Sequence, residues 1–195
     1  GDHVALNYDL DAPLVECTSI EDWKEKAKGH KVFVTPHHMG YQGGYRGYNW
    51  KCFTEGDITP FVEMYSRHGL AESDQGDYPY LHDMGPRQWE GTIQYGLELG
   101  NKFGIMASTD QHSGYPGSYG DGRIGVLAPS LTRDAIWEAL RTRHVCAATG
   151  DKIIIDFRLN DALMGDVVRG NSRRIYLNVT GESCIDYVDI VLSLI

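Results

Sequence analysis

The chain has 195 residues, 42% of them hydrophobic, which is enough for one sizeable core or two small ones and excludes a disordered or fibrous protein. A formal net charge of -9 argues against nonspecific binding to nucleic acid or to an anionic membrane, since neither surface attracts an acidic protein. No apolar run approaches the ~20 residues of a membrane span and the opening residues lack the features of a signal peptide, so a soluble chain is expected.

Residues 3–10 alternate loosely and suit a strand. A helix follows, with Thr18 or Ser19 as its cap, Glu21 and Asp22 at its positive end and Gly29 as a left-handed stop. Residues 31–35 (KVFVT) are β-branched and aromatic, and this strand ends in Pro36, His37 and His38. Residues 39–56 are rich in Gly, Tyr and Trp without periodicity, and they read as a long loop. Its aromatics can stack on a sugar or base while Arg46 and Lys51 meet an anion, or the loop can be packed by its own aromatics.

Residues 61–65 (FVEMY) form the next strand, with Glu63 inside it and Ser66, Arg67, His68 and Gly69 following. A carboxylate within an apolar strand is expensive unless it is paired or metal-bound; the alternative is an outward-facing Glu on a half-exposed strand. Residues 72–85 are an acidic loop carrying His82, and residues 86–100 read as a helix with Pro86 in its first turn and Trp89, Ile93 and Leu97 on one face. The apolar run 103–107 then stops at Ser108, Thr109, Asp110, Gln111 and His112. Asp110 and His112 can both reach one divalent ion from a tight turn, offering hard oxygen and borderline nitrogen.

The glycine-rich stretch 116–123 is followed by a strand rather than a helix start, so no phosphate-binding loop of the Walker or dinucleotide type is supported. Thr132 caps a helix running to about residue 143, and residues 144–148 return as a strand. Residues 149–151 mark a boundary between an α/β domain (1–150) and a small sandwich-like antiparallel β module (151–195). The module contains four strand-like runs, IIIDFRL, MGDVV, RIYLNVT and YVDIVLSLI, and is read as a packing or partner module. The four cysteines, Cys17, Cys52, Cys146 and Cys184, form no C-x-x-C pair, which argues against a zinc ribbon or disulfide scaffold and slightly favours a reducing compartment.

Three segments therefore share one layout, an apolar strand with ligand-type residues at or just past its end: His37 and His38, Glu63 and His68, Asp110 and His112. Together they predict a divalent metal site at the open end of a barrel or sheet. His30, His82 and His144 lie outside this layout and are expected to be surface or packed histidines.

The runs VTPHHMG, FVEMYSRHGLAE, ASTDQHSG and LTRDAIWEALRTRHVCAATGD resemble a bacterial group, the DUF family numbered 3604, within the PHP superfamily of metal-dependent phosphoesterases. The resemblance spans most of the chain. It implies an α/β fold, the C-terminal part of a distorted (β/α)7 barrel, with Zn, Mn or Fe held at the strand ends. Asp110 and His112 would correspond to the last metal motif, His37 or His38 to a central histidine motif and Glu63 to a strand-borne acidic ligand, with His68 a looser match. The H-x-H motif that opens such proteins is missing, and about 145 residues of α/β sequence are short of a closed barrel. A longer parent protein is therefore expected, with a second copy or an N-terminal fragment covering exposed strands, and low activity for this chain alone.

The resemblance implies hydrolysis of a small phosphate ester, with metal ions at His37, Glu63, Asp110 and His112, a proton donated by His38 or His68, and phosphate bound by Arg46 or Arg123. Two alternatives remain open at this level: a metal-dependent amidohydrolase, and a noncatalytic module that grips a glycan or protein.

Overall fold

The alternation of Val32, Phe33, Val34 and Thr35 puts large side chains on both faces of one strand, and the chain is built around it. The computed structural model describes residues 2–12, 14–53, 56, 58–76 and 82–192. Strand β1 (His3–Asn7) and helix α1 (Ile20–Lys26) precede that strand, β2 (Val32–Pro36), whose every residue is buried. Val32 and Val34 pack against Trp23 and Ala27 of the α1 segment, while Phe33 points the other way into a cluster with Phe61, Met106 and Val145. The helix starts as its sequence dictates, with the Ser19 hydroxyl accepting from the Asp22 amide at 3.1 Å and Gly29 at φ 84° just past its end.

Strands β3 (Phe61–Ser66) and β4 (Gly69–Leu70) form a tight hairpin, and β5 (Gly104–Ala107) lies parallel to β3. A bulge in β3 between Glu63 and Tyr65 interrupts this ladder. Helix α2 (Ile93–Glu98) leads into β5, and β6 (Arg123–Val126), α3 (Arg133–Arg141) and β7 (Val145–Ala148) complete the larger part, with β7 antiparallel to β6 and against β5. Strands β8 (Ile154–Leu159), β9 (Ala162–Leu163) and β10 (Ile175–Thr180) make a separate antiparallel sheet in the order β10-β8-β9.

This architecture corrects the expected barrel. Among the described residues the strands form four small sheets of two or three strands, five of the six pairings are antiparallel, and the three α-helices span seven, six and nine residues. A barrel requires each strand to be bonded on both edges and parallel neighbours to be joined by long crossovers. Here β2 ladders only with β1, and β6 only with β7. The chain is neither a (β/α)7 barrel nor a part of one.

Other differences have local causes. Residues 86–92 do not join the helix, because loop 40–42 captures them: Gln42 donates to the Pro86 carbonyl, Gln88 to that of Gly40, and Gly40 to that of Gly91. The long loop 39–53 is packed by its own aromatics, with Tyr41, Tyr48 and Trp50 buried beside Met39. In the C-terminal sheet, MGDVV is a turn closed by Asp166, whose carboxylate accepts from the Leu163 amide. Residues 187–192 alternate like a strand but carry no ladder, and residues 193–195 lie outside the described residues.

The loop's Trp50 is the keystone of its cluster. Its ring stacks on Phe103 at 5.1 Å, its indole donates to the Thr92 carbonyl at 2.9 Å, and its edge fills the space where a Cβ at Gly96 would stand. Alanine is the better helix former, so Gly96→Ala in isolation would stabilise α2. Overpacking against Trp50 reverses the sign, and the variant is expected to lose about 2 kcal/mol in urea unfolding with an altered near-ultraviolet tryptophan signal.

Candidate functional site

Side chains alternate along strands, so residues two apart share a face. Phe33, Phe61 and Met106, from β2, β3 and β5, pack into one apolar cluster. Further along the same parity come Thr35 on β2 and His37 just past its end, Glu63 on β3, and Asp110 past the end of β5. The cluster is thus an apolar floor, and the chemistry-bearing residues sit above it where the strands run out. The bulge beside Glu63 loosens the ladder there, as bulges next to sites commonly do.

Glu63 is only 4% exposed, and its carboxylate accepts from His37 Nδ1 at 2.6 Å. That bond leaves His37 Nε2 free to face Asp110 Oδ2, 3.3 Å away. On the other side of the same oxygen, at 3.3 Å, is His68 Nε2, whose Nδ1 meets Asp83 Oδ1 at 3.2 Å. His112 Nε2 lies 3.5 Å from Asp110 Oδ1. His37, His38 and Asp110 form one compact set of ligand atoms, and His68, Asp110 and His112 form a second. Asp110 belongs to both.

These spacings are informative. His38 Nδ1, His68 Nε2 and Asp110 Oδ2 are buried and make no hydrogen bond, although His68 Nε2 and Asp110 Oδ2 stand 3.3 Å apart. Leaving such atoms unpaired costs on the order of 1–3 kcal/mol each. Two ligand atoms bonded at about 2.1 Å to one tetrahedral cation stand about 3.4 Å apart, which is the separation seen around Asp110. The donor set, imidazoles with one shared carboxylate, suits zinc, manganese or iron. Glu63 and Asp83 sit where carboxylates orient ligating histidines through the opposite ring nitrogen.

Electrostatics divide the histidines. Burial opposes a charge on His37, but the hydrogen bond and charge of Glu63, with Asp110, outweigh it and raise its pKa above the usual 6.5. His38 is pushed down to about 4, first by burial and then by the neighbouring His37. His82 is pushed down to about 3 by burial, with Arg87, His38 and His68 adding to the effect. His38 and Asp110 both have left-handed backbones, φ 56° and 46°, uncommon for residues with a Cβ.

The chain therefore brings His37, His38, Glu63, His68, Asp110 and His112 together, with Glu63 against His37 rather than in either ligand set. Arg46 lies over the Tyr45 ring and Arg123 over the Tyr119 ring, the latter also reaching the Ser118 carbonyl. Sequence reading missed Asp83 and Asp2. Asp2 Oδ2 stands 3.8 Å from His38 Nε2, and its carbonyl accepts from the His37 amide at 2.9 Å. His82 is a packed histidine, as expected: it lies on Tyr41, ring centroids 4.3 Å apart, and both its ring nitrogens are buried without a hydrogen bond. The positions of Asp2 and Asp83, outside any strand or helix, gave no periodic signal that could have found them.

No family model and no solved structure matches the chain. Three chlamydial proteins, each described as uncharacterised, are similar in sequence. One from Chlamydia trachomatis is 28% identical over 130 residues, covering 61% of this chain and 21% of the relative. One from Chlamydia muridarum is 30% identical over 115 residues, covering 53% and 18%, and one from Chlamydia pneumoniae is 26% identical over 147 residues, covering 67% and 24%. The matched stretch thus spans between 18% and 24% of the curated relatives' length, and nothing in these matches assigns the chain to the phosphoesterase superfamily it resembles.

Proposed function

We propose that this chain carries the cation-holding part of a metal-dependent hydrolase acting on a phosphate ester. The observation that carries the metal reading is the pair of ligand groups meeting at Asp110, with buried, unbonded donor atoms at the spacing of atoms sharing a cation. The phosphate ester comes from the resemblance to the PHP superfamily. His37, His38 and Asp110 would hold one ion, and His68, Asp110 and His112 a second. Divalent ions there supply Lewis acidity that activates water and offsets charge on a phosphoryl oxygen.

The protein's own residues prepare that site. Glu63 fixes the tautomer and direction of the His37 ring, and Asp83 does the same for His68. The Phe33, Phe61 and Met106 floor keeps water from the lower side of the ligands and so strengthens their charges. His38, with its pKa near 4, is neutral at pH 7 and suited to ligation rather than proton donation.

Cation content measured by inductively coupled plasma spectrometry, on protein loaded with zinc or manganese and desalted, is expected to approach two ions per chain. Asp110→Asn is expected to lose both, and His112→Ala one, with the fold intact by circular dichroism. Full retention in the Asp110 variant would remove the basis of the proposal.

Acidity gives a second test. A raised pKa means that His37 gains its proton earlier on acidification, so proton and cation compete for it from above pH 6.5 downward, while His38 enters only near pH 4. The cobalt dissociation constant, measured by titration at a series of pH values, is therefore expected to begin rising above pH 6.5 as the pH falls. A dissociation constant that stays unchanged down to pH 5 would contradict the assignment of His37.

A further inference from the structure

We infer that Arg67 recognises the anionic group of the substrate, at the outer cation position formed by His68, Asp110 and His112. This rests on the metal-dependent reading above and narrows it to substrates presenting a phosphoryl dianion, as opposed to a neutral amide.

The two ligand groups differ in access. The side chains of His37 and His38 are 12% and 8% exposed, whereas that of His112 is 69% exposed. A substrate approaching from solvent therefore meets the outer group first. An anion arriving there needs a cationic side chain within reach, and three other arginines make contacts of their own. Arg87 donates to the carbonyls of Leu70 and Ser73, Arg46 lies over Tyr45, and Arg123 lies over Tyr119.

Arg67 is placed differently. It occupies the turn between β3 and β4, beside His68, and its side chain is exposed. Its guanidinium reaches Gln111, the residue between Asp110 and His112, donating to Gln111 Oε1 at 3.4 Å. Gln111 is itself held in place: its amide nitrogen donates to Ser118 Oγ at 3.2 Å and to Asp121 Oδ2 at 3.4 Å, and its oxygen also accepts from the Ser113 amide at 2.8 Å. A fixed side chain thus holds the guanidinium beside the segment that carries Asp110 and His112, through a long, neutral contact, with most of its donors unspent. Exchanging that contact for a charge-assisted, bidentate one to phosphoryl oxygens is favourable, and a neutral amide oxygen offers no equivalent.

The test is calorimetric titration of inorganic phosphate, and of acetamide as the neutral control, into the metal-loaded full chain. Wild type, Arg67→Ala and Arg67→Lys are compared, with the metal content of each sample measured alongside. Phosphate affinity is expected to fall about tenfold or more in Arg67→Ala and to recover in part in Arg67→Lys, with unchanged metal content and no change for acetamide. Three results would overturn the inference: phosphate affinity in Arg67→Ala within twofold of wild type, no phosphate binding by metal-loaded wild type, or loss of an ion from Arg67→Ala, which would make Arg67 a positioning residue acting through Gln111. A wild type that holds no ion overturns the metal reading as well, and the metal measurement identifies that case separately.

Discussion

The bond between His37 and Glu63 is the interaction on which the site depends. It joins the residue just past β2 to the middle of β3, above an apolar floor, and gives a carboxylate buried almost completely the partner that its burial demands. Removing either member leaves the other stranded, a loss typically on the order of 3–5 kcal/mol for a buried pair. The same bond leaves the far nitrogen of the His37 ring directed at Asp110. One contact thereby supports the meeting of β2 with β3 and the geometry of the proposed metal ligands.

Backbone conformation adds a second constraint. His38 and Asp110 follow the ends of β2 and β5, and each is left-handed, which for residues of this kind costs of order 1 kcal/mol or more. Both residues belong to the ligand groups around Asp110. Strain held at two strand ends that converge on one cluster is the pattern expected where the chain turns side chains toward a task instead of toward the shortest connection.

Much of this was legible in the residues. The β-branched and apolar residues of KVFVT, FVEMY and the run before Ser108 marked the three strands, and the cost of a carboxylate among apolar neighbours marked Glu63. Helix caps at Ser19 and Thr132 were equally plain, since capping is local chemistry. The barrel was not there to be read: which strand pairs with which depends on contacts far apart in sequence, and antiparallel pairing of β1 with β2 and of β6 with β7 leaves no local trace. Residues 86–92 show the same limit, for their helical pattern yielded to pairing with loop 40–42. Asp83 carries no signature in the chain; folding alone sets it against His68.

Asp110 serves both ligand groups, and this makes them unequal partners. The inner group is assembled in advance, with buried rings and one of them locked by Glu63, so an ion entering there orders little. The proposed outer group includes His112, whose exposed side chain would surrender rotamer freedom on binding an ion. Two like charges sharing one carboxylate also repel each other, which penalises whichever ion arrives second. Under metal scarcity the protein would then pass through a half-filled form, with its deep position retained and its shallow one in exchange with the surroundings, so that the supply of ions would govern the fraction of molecules ready to work.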